Sequence, residues 1–123
     1  MDARRKFGNF GEKLAANFLV SQGFILREVQ YRQSFGEIDL ICQDGDEVVF
    51  VEVKTRNSQA SGYPEESVTE KKIQHLIRVA EHYLLSHRLT ESAWRIDVVA
   101  IECHAKPPLI THFKNIDIPE ILW

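Results

Sequence analysis

Apolar residues along this chain follow two rhythms. Between residues 9 and 22, Phe10, Leu14, Ala15 and Phe18 recur at the spacing of a helix that buries one face. Asn9 is placed to cap its start, Glu12 follows three residues later as in a capping box, and Gly23 suits a left-handed stop. Residues 24–31 (FILREVQY) read as a weakly patterned strand. Two stronger strands follow, 37–43 (EIDLICQ) and 47–55 (EVVFVEVKT), with the tight-turn signal Asp44-Gly45-Asp46 between them. Residues 56–66 are polar with Gly and Pro and read as a loop. Ser67 with Glu70 makes a second capping box. The helix it opens runs to about His87 and buries Val68, the stem of Lys72, Leu76, Ala80, Tyr83 and Leu84. Residues 94–103 and 108–113 read as strands, and the tail IDIPEILW is apolar enough to pack down or to meet a partner.

The order is therefore αβββαββ. It predicts an α/β fold with a central mixed β-sheet flanked by helices, since the first hairpin is antiparallel and the second helix offers a crossover. A length of 123 residues fits a single domain, 1–123, able to bury a core without disulfides. No run approaches the ~18 to 20 apolar residues of a membrane span. The basic N-terminus is not followed by an apolar stretch, so no secretory signal is read there. Cys42 and Cys103 each lie in an apolar strand and read as reduced core residues. A cytoplasmic location is expected. The net charge of −3 argues against a non-specific nucleic-acid coat. It leaves a nuclease open, because Glu12, Glu37, Asp39 and Glu52 are expected to crowd one site, three of them brought there by the hairpin.

That place follows from the hairpin. Strand neighbours alternate faces. Ile38, Leu40, Cys42, Val49, Val51 and Val53 form one apolar row that must lie on the core. The opposite row holds Glu37, Asp39, Ile41, Val48, Phe50, Glu52 and Lys54, apolar near the turn and charged at the far end. A turn at Asp44-Gly45 sets Glu37 across from Glu52; a turn at Gly45-Asp46 sets Asp39 there instead. Either register puts the three acids on one face. Opposed residues stand roughly 5 Å apart between Cβ atoms, so such carboxylates repel unless a cation compensates. Lys54, two residues past Glu52 on the same face, is placed to stabilise phosphate charge.

Gly36-Glu37-Ile38-Asp39-Leu40-Ile41 followed by Val51-Glu52-Val53-Lys54-Thr55-Arg56 resembles the metal site of the PD-(D/E)xK nuclease superfamily. More closely, the chain resembles the bacterial YraN-like family of predicted endonucleases, through most of its length. Gly11-Glu12, Lys72 with Ala80, Tyr83 and Leu84, and Asp97-Val98-Val99-Ala100 support the match. The resemblance implies a restriction-endonuclease-like fold. It also implies Mg²⁺ or Mn²⁺ held by Asp39, Glu52 and the Val53 carbonyl, with Lys54 as catalytic lysine. Glu12 would approach from the first helix and Lys72 would reach phosphate from the second.

The implied activity is hydrolysis of DNA phosphodiesters. The resolvase members suggest a branched substrate, which would call for a symmetric homodimer with two sites. Competing readings are a nucleic-acid-binding module that keeps the fold without cutting, and a partner-binding scaffold. Arg32, Arg56 and Lys72, with Arg4, Arg5, Lys6 and Lys71, form either a basic rim for a phosphate backbone or an ordinary solvated face. Glu12 is a helix cap or a site residue. Glu37 reads as solvated rather than ligating, and Asp97 as a structural partner of Arg95 or Arg56. His75 and His82 share a helix face, but no third ligand at suitable spacing makes a zinc site. His104 and His112 carry no readable signal.

Overall fold

The computed structural model describes residues 3–57 and 68–120, with side chains from residue 9 onward. Ser67, the tip of the 56–66 loop and the side chains of Arg4, Arg5 and Lys6 lie outside the described residues. The elements run in the expected order: α1 (Ala3–Ser21), β1 (Ile25–Gln33), β2 (Gly36–Asp44), β3 (Glu47–Arg56), α2 (Glu70–Ser86), β4 (Trp94–Glu102) and β5 (Leu109–Phe113). The strands form one mixed sheet in the order β1-β2-β3-β4-β5. Only β3 and β4 are parallel, the pair whose connection contains α2. This architecture is consistent with a restriction-endonuclease-like fold. Among the described residues no helix is long and apolar enough to cross a membrane.

Both faces of the central strands are buried. Val48, Phe50, Ile41, Ile96 and Val98 pack beneath Leu76, Val79, Ala80 and Tyr83 of α2. Leu40, Cys42, Val49, Val51, Val99 and Ile101 pack beneath Ala15 and Leu19 of α1. The hairpin therefore has no solvated face along most of its length, which explains why Ile41, Val48 and Phe50 are apolar. Ile38 departs from the alternation: it joins the cluster under α2, not its sequence partners Leu40 and Cys42 under α1.

The helices differ from expectation at their starts. The first begins at Ala3, so Asn9 lies inside it and is no cap. Phe10 is half exposed, and the buried stripe runs instead through Ala15 and Leu19. Gly11 lies on that stripe, where a Cβ would come within 1.9 Å of Thr55 Oγ1; the missing side chain lets α1 approach β3. Gly23, at φ +96°, sits just past the helix end as expected. The second helix is capped by Thr69, whose hydroxyl accepts a hydrogen bond from the Lys72 amide. It buries Ile73, Ile77 and Val79 in addition to the residues read from the pattern, while Lys72 keeps 40% of its side chain exposed. Past β5, Ile116 and Ile118 pack against the α2 cluster.

Candidate active site

The hairpin turns at Gly45-Asp46, since Asp44 pairs with Glu47. Counting back along this register sets Asp39 across from Glu52, but the ladder ends one step earlier, at Leu40 and Val51. Beyond it the Asp39 carboxylate replaces a backbone acceptor: Oδ2 accepts a hydrogen bond from the Val53 amide at 2.8 Å. The two strands are thus tied by a side chain where their backbones stop pairing. Asp39 is left between α1, which supplies Glu12, and α2, which supplies Lys72.

Glu52 is 4% exposed and directly follows the buried apolar run Val48, Val49, Phe50 and Val51 of β3. Its Oε1 receives two ammonium groups, Lys72 Nζ at 3.3 Å and Lys54 Nζ at 3.6 Å. Its Oε2 is buried and has no hydrogen-bond partner. Burial pushes the Glu52 carboxyl up to about 7, helped by the charge of Asp39 and opposed by Lys72 and Lys54. Burial likewise pushes Asp39 up to about 6; the Val53 amide counters this, while Glu12 adds to it by charge and by a shared hydrogen bond. The two carboxyls are held protonatable near neutral pH by crowding and lack of water, not by any one partner.

Glu12 is held in turn. Gln30 Nε2 donates to Glu12 Oε2 at 2.9 Å and to Asn9 Oδ1 at 2.8 Å. Asn9, read from the sequence as a cap, is instead part of this link between α1 and β1. Gln30 has φ +49°, left-handed backbone that costs a non-glycine residue about 1–2 kcal/mol. It stands between the pairs Val29↔Leu40 and Tyr31↔Ile38, on the rung occupied by Asp39. Neither alternation nor spacing assigns Gln30 a role, because a glutamine inside a strand gives no signal of positive φ.

The remaining basic residues are placed differently. Arg32 pairs with Glu37 at 3.2 Å on the surface, which also accounts for Glu37. Arg56 pairs with Glu102 at 2.8 Å and is mostly buried. Asp97 is fully buried and takes Arg95, His112 and the Asn115 amide, while Arg95 also reaches Asp44 and Glu47. Burial alone would raise the Asp97 pKa, but its hydrogen bonds to His112, Arg95 and Asn115 leave it below the ordinary value. Asp97 is therefore part of a structural ion network, as read, and His112 belongs to the same network although no sequence signal marks it. His82 bonds to the Tyr31 hydroxyl at 2.9 Å. Burial pushes the Cys42 thiol up to about 12, as befits a core residue.

Among the described residues no three His, Cys, Asp or Glu side chains are grouped to hold a metal ion. A cation here would rest on two carboxylates and a main-chain carbonyl, and would keep water in its other positions, as Mg²⁺ commonly does. The unpartnered Glu52 Oε2 and the raised carboxyl pKa values fit such an ion.

The profile described as "Uncharacterised protein family UPF0102" matches residues 11–101, a span that contains Glu12, Asp39, Glu52, Lys54 and Lys72. A UPF0102 protein of Alkaliphilus oremlandii is 42% identical over 113 residues, covering 90% of this chain and 97% of the relative. One from Clostridioides difficile is 44% identical over 108 residues, covering 88% and 93%. One from Moorella thermoacetica is 45% identical over 98 residues, covering 80% and 82%. With the match running through both helices and four of the five strands, the chain belongs to the UPF0102 family, the YraN-like family that its hairpin motifs resemble.

Proposed function

We propose that this protein is a metal-dependent endonuclease that hydrolyses phosphodiester bonds of DNA. The observation that carries the reading is Glu52: a carboxylate buried beside a second one, with two lysines on one oxygen and nothing on the other. A charge so placed destabilises the fold unless it is compensated, and function is the usual reason for such placement.

Asp39, Glu52 and the Val53 carbonyl would hold Mg²⁺ or Mn²⁺. When bound, the cation supplies a Lewis acid that polarises phosphate oxygen and lowers the pKa of water. The protein's own residues do the rest. Lys54 and Lys72 bring two positive charges to one face of Glu52 and stabilise the charge that grows on the phosphate oxygens as water attacks phosphorus. Water forms the new P–O bond and gives up one proton, the old bond to the sugar oxygen breaks, and the leaving oxygen takes up one proton, so the step is balanced by the water alone. Glu12 acts through Asp39, fixing where that carboxylate points. Arg32 would rest on the phosphate backbone, with Arg56 steadying the edge of the site through Glu102. A branched DNA, cut by a symmetric dimer, is the substrate proposed.

The test is cleavage of labelled branched, flapped, single-stranded and linear DNAs in Mg²⁺ and in Mn²⁺, with wild type beside Asp39→Ala and Lys54→Ala. Cutting by wild type alone, strongest on branched DNA, is expected. Cutting that survives Asp39→Ala removes Asp39 from the site. Binding of DNA with no cutting by any form favours a non-catalytic DNA-binding module.

A further inference from the structure

Two irregularities coincide on one rung of the sheet. On β1, Val29 and Gln30 both line the groove beside α1, while Tyr31 packs under α2. On β2, Ile38 packs under α2 and Leu40 under α1. A regular strand would send Val29 and Gln30 to opposite faces, and Ile38 and Leu40 to the same one. The break falls at Gln30 on one strand and at Asp39 on the other. The left-handed backbone of Gln30 is what turns its side chain to the α1 side, where its amide finds Asn9 and Glu12.

The hydrogen bonds of Gln30 give this arrangement a purpose. The Gln30 Nε2 has two hydrogens, and its two acceptors are both on α1, one turn apart. A glutamate has free torsions, and without a second partner the Glu12 side chain would be free to swing away from Asp39 toward solvent. A two-point clamp through Asn9 and Glu12 prevents that. It also pins α1 to β1 at the height of the acidic pair. Backbone held in a sparsely populated region persists where surrounding structure over-determines it, and such positions cluster at functional sites.

Resting on the nuclease reading above, we infer that Gln30 is a positioning residue: it locks the Glu12 carboxylate against Asp39 and so sets how tightly the site holds its metal and how fast it turns over. Gln30 touches neither substrate nor metal. It acts through Glu12. Partners that orient metal ligands typically contribute 10- to 100-fold in affinity or activity.

The inference is tested with the full-length chain by Mn²⁺ titration calorimetry, and by cleavage kinetics on whichever labelled DNA the wild type cuts. Gln30→Met keeps the length and the backbone requirement but removes the amide. It is expected to weaken Mn²⁺ binding about tenfold or more, and to lower kcat at saturating Mn²⁺ with KM for DNA within about twofold. Gln30→Gly relieves the left-handed backbone, so its Tm stays at or above that of wild type while Mn²⁺ affinity falls in the same way. Loss of metal affinity in a variant that is no less stable separates positioning from mere structural support. Gln30→Asn retains an amide and suits the left-handed region, and recovers part of what Met loses.

If wild type binds Mn²⁺, Asp39→Asn abolishes it, and the Met and Gly variants bind as tightly as wild type, the inference is overturned and the nuclease reading stands. If wild type itself binds no Mn²⁺, the nuclease reading falls and takes this inference with it.

Discussion

Burial holds the carboxyls of Glu52 at about 7 and Asp39 at about 6, well above the values near 4 that they take in an unfolded chain. As pH rises from about 4, the unfolded chain releases these protons first, and the folded state loses stability until the pH has passed the folded values. The metal-free protein is therefore expected to melt lower at pH 8 than at pH 5 on account of these groups. Asp39→Asn keeps an acceptor for the Val53 amide but cannot ionise, so at pH 8 it is expected to exceed metal-free wild type by on the order of 1–2 kcal/mol. Adding Mn²⁺ reverses the ranking, because only wild type gains a ligand, and the gain grows with pH as the carboxylates ionise. Thermal melts of both proteins across pH 5 to 8, with EDTA and with Mn²⁺, check this; parallel curves would sink the crowding argument. Alternation along the hairpin was enough to bring Asp39, Glu52 and Lys54 to one end from sequence alone. It was not enough to find Gln30, since nothing in a glutamine's chemistry announces positive φ. It also misplaced Ile38, because a single kinked rung reverses the face of every residue beyond it.

At the scale of elements, the seven described segments were legible, β1 from a weak pattern and the others from a clearer period bounded by breakers. Their ends were not. Residues 3–8 (ARRKFG) show no apolar rhythm, and Asn9 beside Glu12 imitates a cap, so the sequence suggests a later start than the helix takes. What fixes α1 is tertiary: Ala15 and Leu19 on the sheet, and Gly11 against Thr55 of β3. That contact also sets the height of Glu12, the next residue. Gly11→Ala improves local helix propensity by about 1 kcal/mol, yet its Cβ would meet Thr55 Oγ1 at 1.9 Å. The helix must lift, and a net destabilisation of about 1–3 kcal/mol is expected. Thr55→Ala removes the hydroxyl and should restore part of that loss in the double variant. A urea-denaturation cycle over the four proteins reads the coupling directly; additive effects would mean that α1 does not rest on Thr55.

The whole molecule poses an electrostatic problem that no single element shows. If the proposed function holds, a chain of net charge −3 must approach a polyanion, with its most crowded acids where the scissile phosphate would sit. The sheet order was legible only in part: a mixed sheet follows from hairpin and crossover, but the placement of β1 at one edge and β5 at the other depends on long-range pairing. That placement decides the balance of charge around the site, because β1 brings Arg32 paired to Glu37, and β3 brings Arg56 paired to Glu102. With those arginines already partnered by acids, Lys54 and Lys72 would supply the attraction at the acidic pair itself, and they too are offset by the carboxylate between them. Affinity for DNA should then depend on a divalent cation to a degree that a basic DNA-binding protein would not show. Fluorescence anisotropy at low salt is expected to find wild-type binding tightened about tenfold or more when EDTA is replaced by Ca²⁺. An Asp39→Asn, Glu52→Gln double variant should bind at the same affinity in both buffers, and more tightly than wild type in EDTA, since two of the repelling charges are gone. A wild type that binds equally well with and without the cation would place the contact surface for DNA away from Glu52, and the acidic pair would then need another explanation.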